Sequence, residues 1–124
     1  MMYREYLILF HLLGDCYFAY DLQYDDLPPL LGEMDPYLFQ GGMPMDREVF
    51  DDWRGMCTGI KSRRDLVERV IRLLESYEKK YAFNFADTKK VLANLTDAEI
   101  DKSIQNAEQA WEERQKATDS RNLP

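Results

Sequence analysis

Tyr3-Arg-Glu-Tyr6-Leu-Ile-Leu-Phe10-His-Leu-Leu13-Gly-Asp-Cys-Tyr17-Phe-Ala-Tyr20-Asp-Leu-Gln-Tyr24 is the stretch that decides the fold. Its large residues recur at Tyr3, Tyr6, Phe10, Leu13, Tyr17, Tyr20 and Tyr24, in steps of three and four, which is the period of a helix and not of a strand. Leu7, Ile8, Leu9, Leu12 and Cys16 fill most of the remaining circumference, leaving a narrow polar stripe at Arg4, His11 and Asp15. A helix apolar almost all round is buried within its domain. The spacing therefore predicts a central helix over 3–24 and an all-α fold around it.

The flanking sequence continues in the same language. Asp26 is placed to cap a short helix through Pro28 to Gly32, with proline in the first turn and glycine near the exit. Residues 34–45, with Pro36, Gly41-Gly42 and Pro44, read as loop. Asp46 is a cap for a two-turn helix ending near Gly55, with Val49, Phe50 and Trp53 at helical spacing. Ser62 followed by Asp65 resembles a capping box, opening a helix to Tyr81. Its stripe is Leu66, Val67, Val70, Ile71, Leu74, Tyr77 and Tyr81, and Glu68–Arg72 and Glu75–Lys79 sit at the favourable four-residue spacing. Asp87 starts a short helix through Val91 and Leu92. Thr96 with Glu99 is a clean capping box for a last helix over about 97–117, with the narrow seam Ile100, Ile104, Ala107 and Trp111.

The expectation is a compact single-domain bundle of five to six helices over 1–117, with a frayed tail over 118–124. No alternating β-branched run argues for a sheet, and 83–86 is the place where a short strand would sit. An internal echo is visible. Leu13-Gly-Asp-Cys-Tyr17 lies on Leu73-Leu-Glu-Ser-Tyr77, and after a one-residue gap Asp26, Leu31 and Met34 fall on Asp87, Leu92 and Leu95. Two related helix pairs would pack as one helical domain.

A chain of 124 residues is long enough for one real core and too short for two. Its acid is confined to one half. Residues 1–60 carry eleven Asp/Glu against three Arg and no Lys, whereas 61–124 carry twelve acids and thirteen Lys/Arg; eleven of the sixteen aromatics lie in the acidic half. Such a surface repels nucleic acid and anionic membrane and steers basic protein surfaces in. Cys16 and Cys57 read as reduced thiols rather than a disulfide framework. The apolar run over 6–13 lacks a basic n-region and a small-residue cleavage site, and at eight residues is too short for a membrane span. The expected location is the cytoplasm.

No constellation here announces a reaction, and the chain is expected not to be an enzyme. A Cys–His nucleophile would pair His11, the single histidine, with Cys16 or Cys57 and an orienting group. His11 and Cys16, five apart on one helix, are turned apart by about 140°. The plainer reading is a histidine on the rim of a core helix and two packing thiols. Asp25-Asp26 and Asp51-Asp52 are adjacent carboxylates, but there is no Glu-x-x-His and no calcium-loop spacing, so solvated charge is expected and no metal. Gly41-Gly42 matches neither phosphate-binding fingerprint, and no cofactor is expected. Lys61-Ser-Arg-Arg64 is a short basic patch at a helix start, where cations are poorly placed.

What remains is an interaction surface. Tyr37, Leu38, Phe39, Met43 and Met45 are flanked by Asp25, Asp26, Glu33 and Asp35 on one side and by Asp46, Glu48, Asp51, Asp52 and Trp53 on the other. Aromatic residues supply interface energy, and charges around them set encounter rate and choice of partner. Whether Tyr37, Phe39 and Trp53 are core or interface stays open at this level.

Leu30-Leu-Gly-Glu-Met34, then Pro36, Phe39, Gly42, Pro44, Asp46 and Trp53, resembles segments of uncharacterised bacterial proteins encoded near polymorphic toxins, and the pattern as a whole is similar to the immunity proteins of bacterial polymorphic toxin systems, including contact-dependent inhibition systems. The resemblance covers roughly residues 12–54 and carries over no toxin-binding residue by position. It implies a small acidic cytosolic protein that binds a basic toxin domain, often a nuclease, and occludes its active site. Two other classes fit the same residues. One is a helical adaptor or regulator that binds a partner, or itself, through Ile100, Ile104 and Trp111. The other is a small helical enzyme using His11 or paired carboxylates.

Overall fold

The computed structural model describes residues 3–37 and 47–121, with side chains over 4–37 and 47–116. Six helices follow in order: α1 (Tyr3–Tyr20), α2 (Leu27–Met34), α3 (Arg47–Met56), α4 (Arg63–Tyr81), α5 (Ala86–Ala93) and α6 (Asp97–Arg121). Among the described residues there is no strand, at 83–86 or elsewhere.

Helix α1 is central, as its circumference demands: it packs against α2, α3, α5 and, most extensively, α6. Tyr6, Leu7, Leu9, Leu12, Leu13 and Cys16 are all buried. It is shorter than the spacing predicts. The helix ends at Tyr20 because Asp21 adopts a left-handed φ of 53°, so Tyr24, the last step of the stripe, lies outside it and is 82% exposed. Helix α6, by contrast, runs through Arg121, beyond the expected stop near 117; residues 122–124 lie outside the described residues. Its seam closes on the core, with Ile100 and Ala107 buried and Ile104 and Trp111 packed against them.

Two of the expected caps form as the sequence dictates. The Asp65 amide donates to Ser62 Oγ at 3.1 Å, while the Asp65 carboxylate reaches back one residue further than a strict box, to the Lys61 amide. Thr96 and Glu99 cap reciprocally, amide to carboxylate at 2.9 Å and amide to hydroxyl at 3.1 Å. On α4 the ion pair formed at four-residue spacing is Arg69–Asp65, and Glu75 pairs across to Lys89 of α5 rather than along its own helix. The expected cap Asp46 lies outside the described residues.

The caps at α2 and α5 depart from expectation. Asp26 precedes α2 but makes no side-chain cap there; its carboxylate accepts from the Asn84 amide at 2.6 Å, and its own amide donates to the Asn84 carbonyl at 2.9 Å. Asp25 takes over instead. Its Oδ1 accepts from the Leu27 amide at 2.9 Å, and its Oδ2 accepts from the Thr88 amide and hydroxyl at 2.9 and 2.7 Å. One carboxylate thus caps both short helices.

The internal echo has a structural counterpart. The long helices α1 and α4 each end at a tyrosine, followed by a left-handed non-glycine residue (Asp21, Ala82) and then an eight-residue helix. Helix α1 packs on α6, and α4 packs on α3. Tyr20 donates to Glu99 in the first turn of α6, and Tyr81 donates to Glu48 in the first turn of α3 at 2.6–2.7 Å. Each half is therefore latched onto the third helix of the other. Alanine at φ 57° carries the Cβ strain that glycine at a helix exit avoids. Ala82→Gly is expected to raise the unfolding free energy by about 0.5–1 kcal/mol once the extra freedom of the unfolded glycine is offset; chemical denaturation measures it, and a lowered midpoint would reject the strain.

Candidate interaction surface

The acidic residues singled out by the sequence stand in different surroundings. Asp25 and Asp26 are occupied by the contacts between the two interhelical turns. Glu48 is clamped by Lys80 at 2.5 Å and by Tyr81, and the bond from Lys80 holds its carboxyl below the usual range. Asp52 accepts from the Tyr77 hydroxyl at 2.8 Å. Asp51 is exposed beside Arg47, at 3.7 Å, and Glu33 is exposed on α2. Trp53 is core: it is 1% exposed, and its Nε1 donates to the Glu5 carbonyl at 3.0 Å. Tyr37 is 53% exposed. Phe39 and Asp46 lie outside the described residues.

Helix α2 divides what is left. Its Leu30 and Glu33 line a cleft shared with Glu48, Tyr77 and Tyr81. Its other flank faces α1 across a groove of about 430 Å³, walled by Phe10, His11, Tyr17 and Phe18 of α1 and by Pro28, Leu31 and Asp35. Asp15 completes it, and among the described residues no Lys or Arg lines it. Among the described residues, Asp15 and Asp35 accept from neutral donors: Ser103 and Asn106 for the former, the Tyr37 amide for the latter. Their charges are left without a cation in the groove.

The rings form two groups. Tyr17 and Phe18 meet edge to face with centroids 5.2 Å apart, Phe10 approaches Tyr37 at 5.8 Å, and His11 Nε2 lies 2.8 Å from the Tyr37 hydroxyl. Burial pushes the His11 pKa down against the opposing pull of Asp15 and Asp35, so the imidazole is neutral at neutral pH. The cysteines lie elsewhere: Cys16 in the α1–α6 interface and Cys57 beside Trp53. Burial pushes both thiols up, Cys16 to about 12, and neither is ionised at neutral pH. Among the described residues no group of His, Cys, Asp and Glu is placed to hold a metal ion, and no helix is long and apolar enough to cross a membrane.

No protein-family model matches the chain, and no curated protein or solved structure is similar to it. The molecule supplies its own comparison instead. By the internal echo, Phe18 and Pro28 of the first half correspond to Glu78 and Lys89 of the second. There Glu78 bonds Lys89 at 2.6 Å and accepts from the Phe85 amide at 2.8 Å, stapling α5 to α4, and Leu92 is fully buried. In the first half a ring and a proline replace the ion pair, and Leu31, the counterpart of Leu92, is only half-buried. The open groove is thus a property of these residues and not of the helix pair as such.

Sequence reasoning missed Phe18, which is 84% exposed. The signal was present: Phe18 continues the polar stripe of His11 and Asp15 at i+7 and i+3, so a large ring stood where a polar residue was due.

Proposed function

We propose that the protein is an immunity-type inhibitor that binds and neutralises a basic protein, a toxin domain such as a nuclease, through its acidic first half. The observation that carries this reading is the coincidence of exposed rings with carboxylates there: Phe18, Tyr24 and Tyr37 are 84%, 82% and 53% exposed, Glu33 is exposed on α2, and among the described residues no Lys or Arg lines the groove that holds Asp15 and Asp35. Aromatic side chains give an interface its energy, and the surrounding field gives it its rate. The adaptor alternative is less well served, because Ile100 is buried and Ile104 and Trp111 are already packed, partly buried, against the core of the domain.

Exposed charge acts mainly on association, through a field screened over roughly 8–10 Å at physiological salt. Asp51 and Glu33 are the acids to reverse, since Asp52 is bonded to Tyr77. With a basic partner captured from the native host and identified by mass spectrometry, Glu33→Lys/Asp51→Lys should slow association about tenfold at low salt. The effect should shrink at high salt, with the melting temperature unchanged. Salt-independent association, or a partner whose contact surface is acidic, would overturn the reading.

A further inference from the structure

Building on that reading, we infer that the α1–α2 groove accepts an arginine side chain of the partner, its guanidinium lying among Phe10, Tyr17 and Phe18 with its charge met by Asp35 and Asp15. Three observations converge. The groove is lined by rings and two carboxylates and, among the described residues, by no Lys or Arg, so a cation entering it meets attraction only. At about 430 Å³ it has room for a long side chain. The equivalent position in the second half already holds a cation, Lys89, against Glu78; the first half carries Phe18 and Pro28 at those positions, with no such ion pair between them.

Arginine fits this lining better than lysine. Its planar guanidinium stacks on ring faces and presents a fork of donors to carboxylates, whereas the ammonium is a compact, strongly hydrated point charge. His11, neutral and held on the Tyr37 hydroxyl, adds no competing charge. Phe18, 84% exposed and edge to face with Tyr17, stands at the groove's solvent side.

The test titrates the full chain with N-acetyl-arginine amide, following ring and imidazole signals by NMR, with N-acetyl-citrulline amide as the neutral isostere. Saturable shifts of the Phe18, Tyr17 and His11 signals are expected with arginine, and binding about tenfold weaker with citrulline. Phe18→Ala and Asp35→Asn should each weaken arginine binding by about threefold to tenfold. Both sites are at the surface, and circular dichroism checks that each variant keeps the wild-type helical signal. Equal binding of citrulline, shifts outside the groove, or unchanged affinity in both variants would overturn the inference. If arginine amide fails while charge reversal still slows association with a basic partner, the groove is rejected and the broader reading stands. If arginine amide binds but association is salt-independent, the reverse holds.

Discussion

Trp53→Ala is expected to lower the unfolding free energy by roughly 3–5 kcal/mol, the range for removing a buried aromatic side chain. The indole is 1% exposed on the inner face of α3, between Val49, Phe50 and the underside of α1. Its one polar atom is satisfied by the Glu5 carbonyl, which ties α3 to the first turn of α1. Trp53→Phe keeps most of the ring area and loses that bond, so a smaller cost of about 1–2 kcal/mol is expected. Urea denaturation of both variants measures the difference. A midpoint unmoved by Trp53→Ala would mean the ring is an interface residue after all, and any loss of partner binding should track the unfolded fraction.

Asp25→Ala should be the most damaging substitution of a charged residue, costing roughly 2–4 kcal/mol. It removes the acceptor for the Leu27 amide at the start of α2 and for the amide and hydroxyl of Thr88, whose side chain is buried in the first turn of α5. Losing an N-cap costs about 1 kcal/mol, and here two helices share one cap, with a buried hydroxyl orphaned besides. Asp25→Asn retains an acceptor oxygen and should recover part of the loss. Hydrogen exchange locates the damage: amides of the first turn of α5 should lose protection before those of α4. Stability within about 0.5 kcal/mol of wild type would show that solvent replaces the carboxylate.

The pair Asp25-Asp26 shows where sequence reading stops. Adjacent carboxylates between helices read as solvated charge because their partners, Asn84 and Thr88, lie about sixty residues away, and nothing local announces them. Caps whose two members lie three residues apart, Ser62–Asp65 and Thr96–Glu99, are legible because the geometry is contained in the spacing. The stripe on α4 is legible for the same reason: Leu66, Val67, Val70, Leu74 and Tyr77 are buried and Ile71 is half-buried, while Tyr81 at its end is 44% exposed. The end of α1 is not. Tyr20 and Tyr24 keep the period, and only the left-handed turn at Asp21 breaks it. Of the expected interface, Tyr37 is on the surface and Trp53 is inside, a distinction that helical spacing alone does not carry. The groove itself depends on two helices meeting, and its most exposed ring, Phe18, was hidden within a stretch whose rings keep helical spacing whether they are buried, like Tyr6, or exposed, like Tyr20 and Tyr24.

The pairing of α1 with α6 has a consequence for how the protein is made. The central helix α1 leaves the ribosome before the other five, and its main cover starts only at Asp97. At about 5–20 residues per second, α1 waits on the order of 5–20 s before its cover begins to emerge. During that interval its bare face is available to chaperones or to neighbouring nascent chains, so α6 guards a helix made well before it.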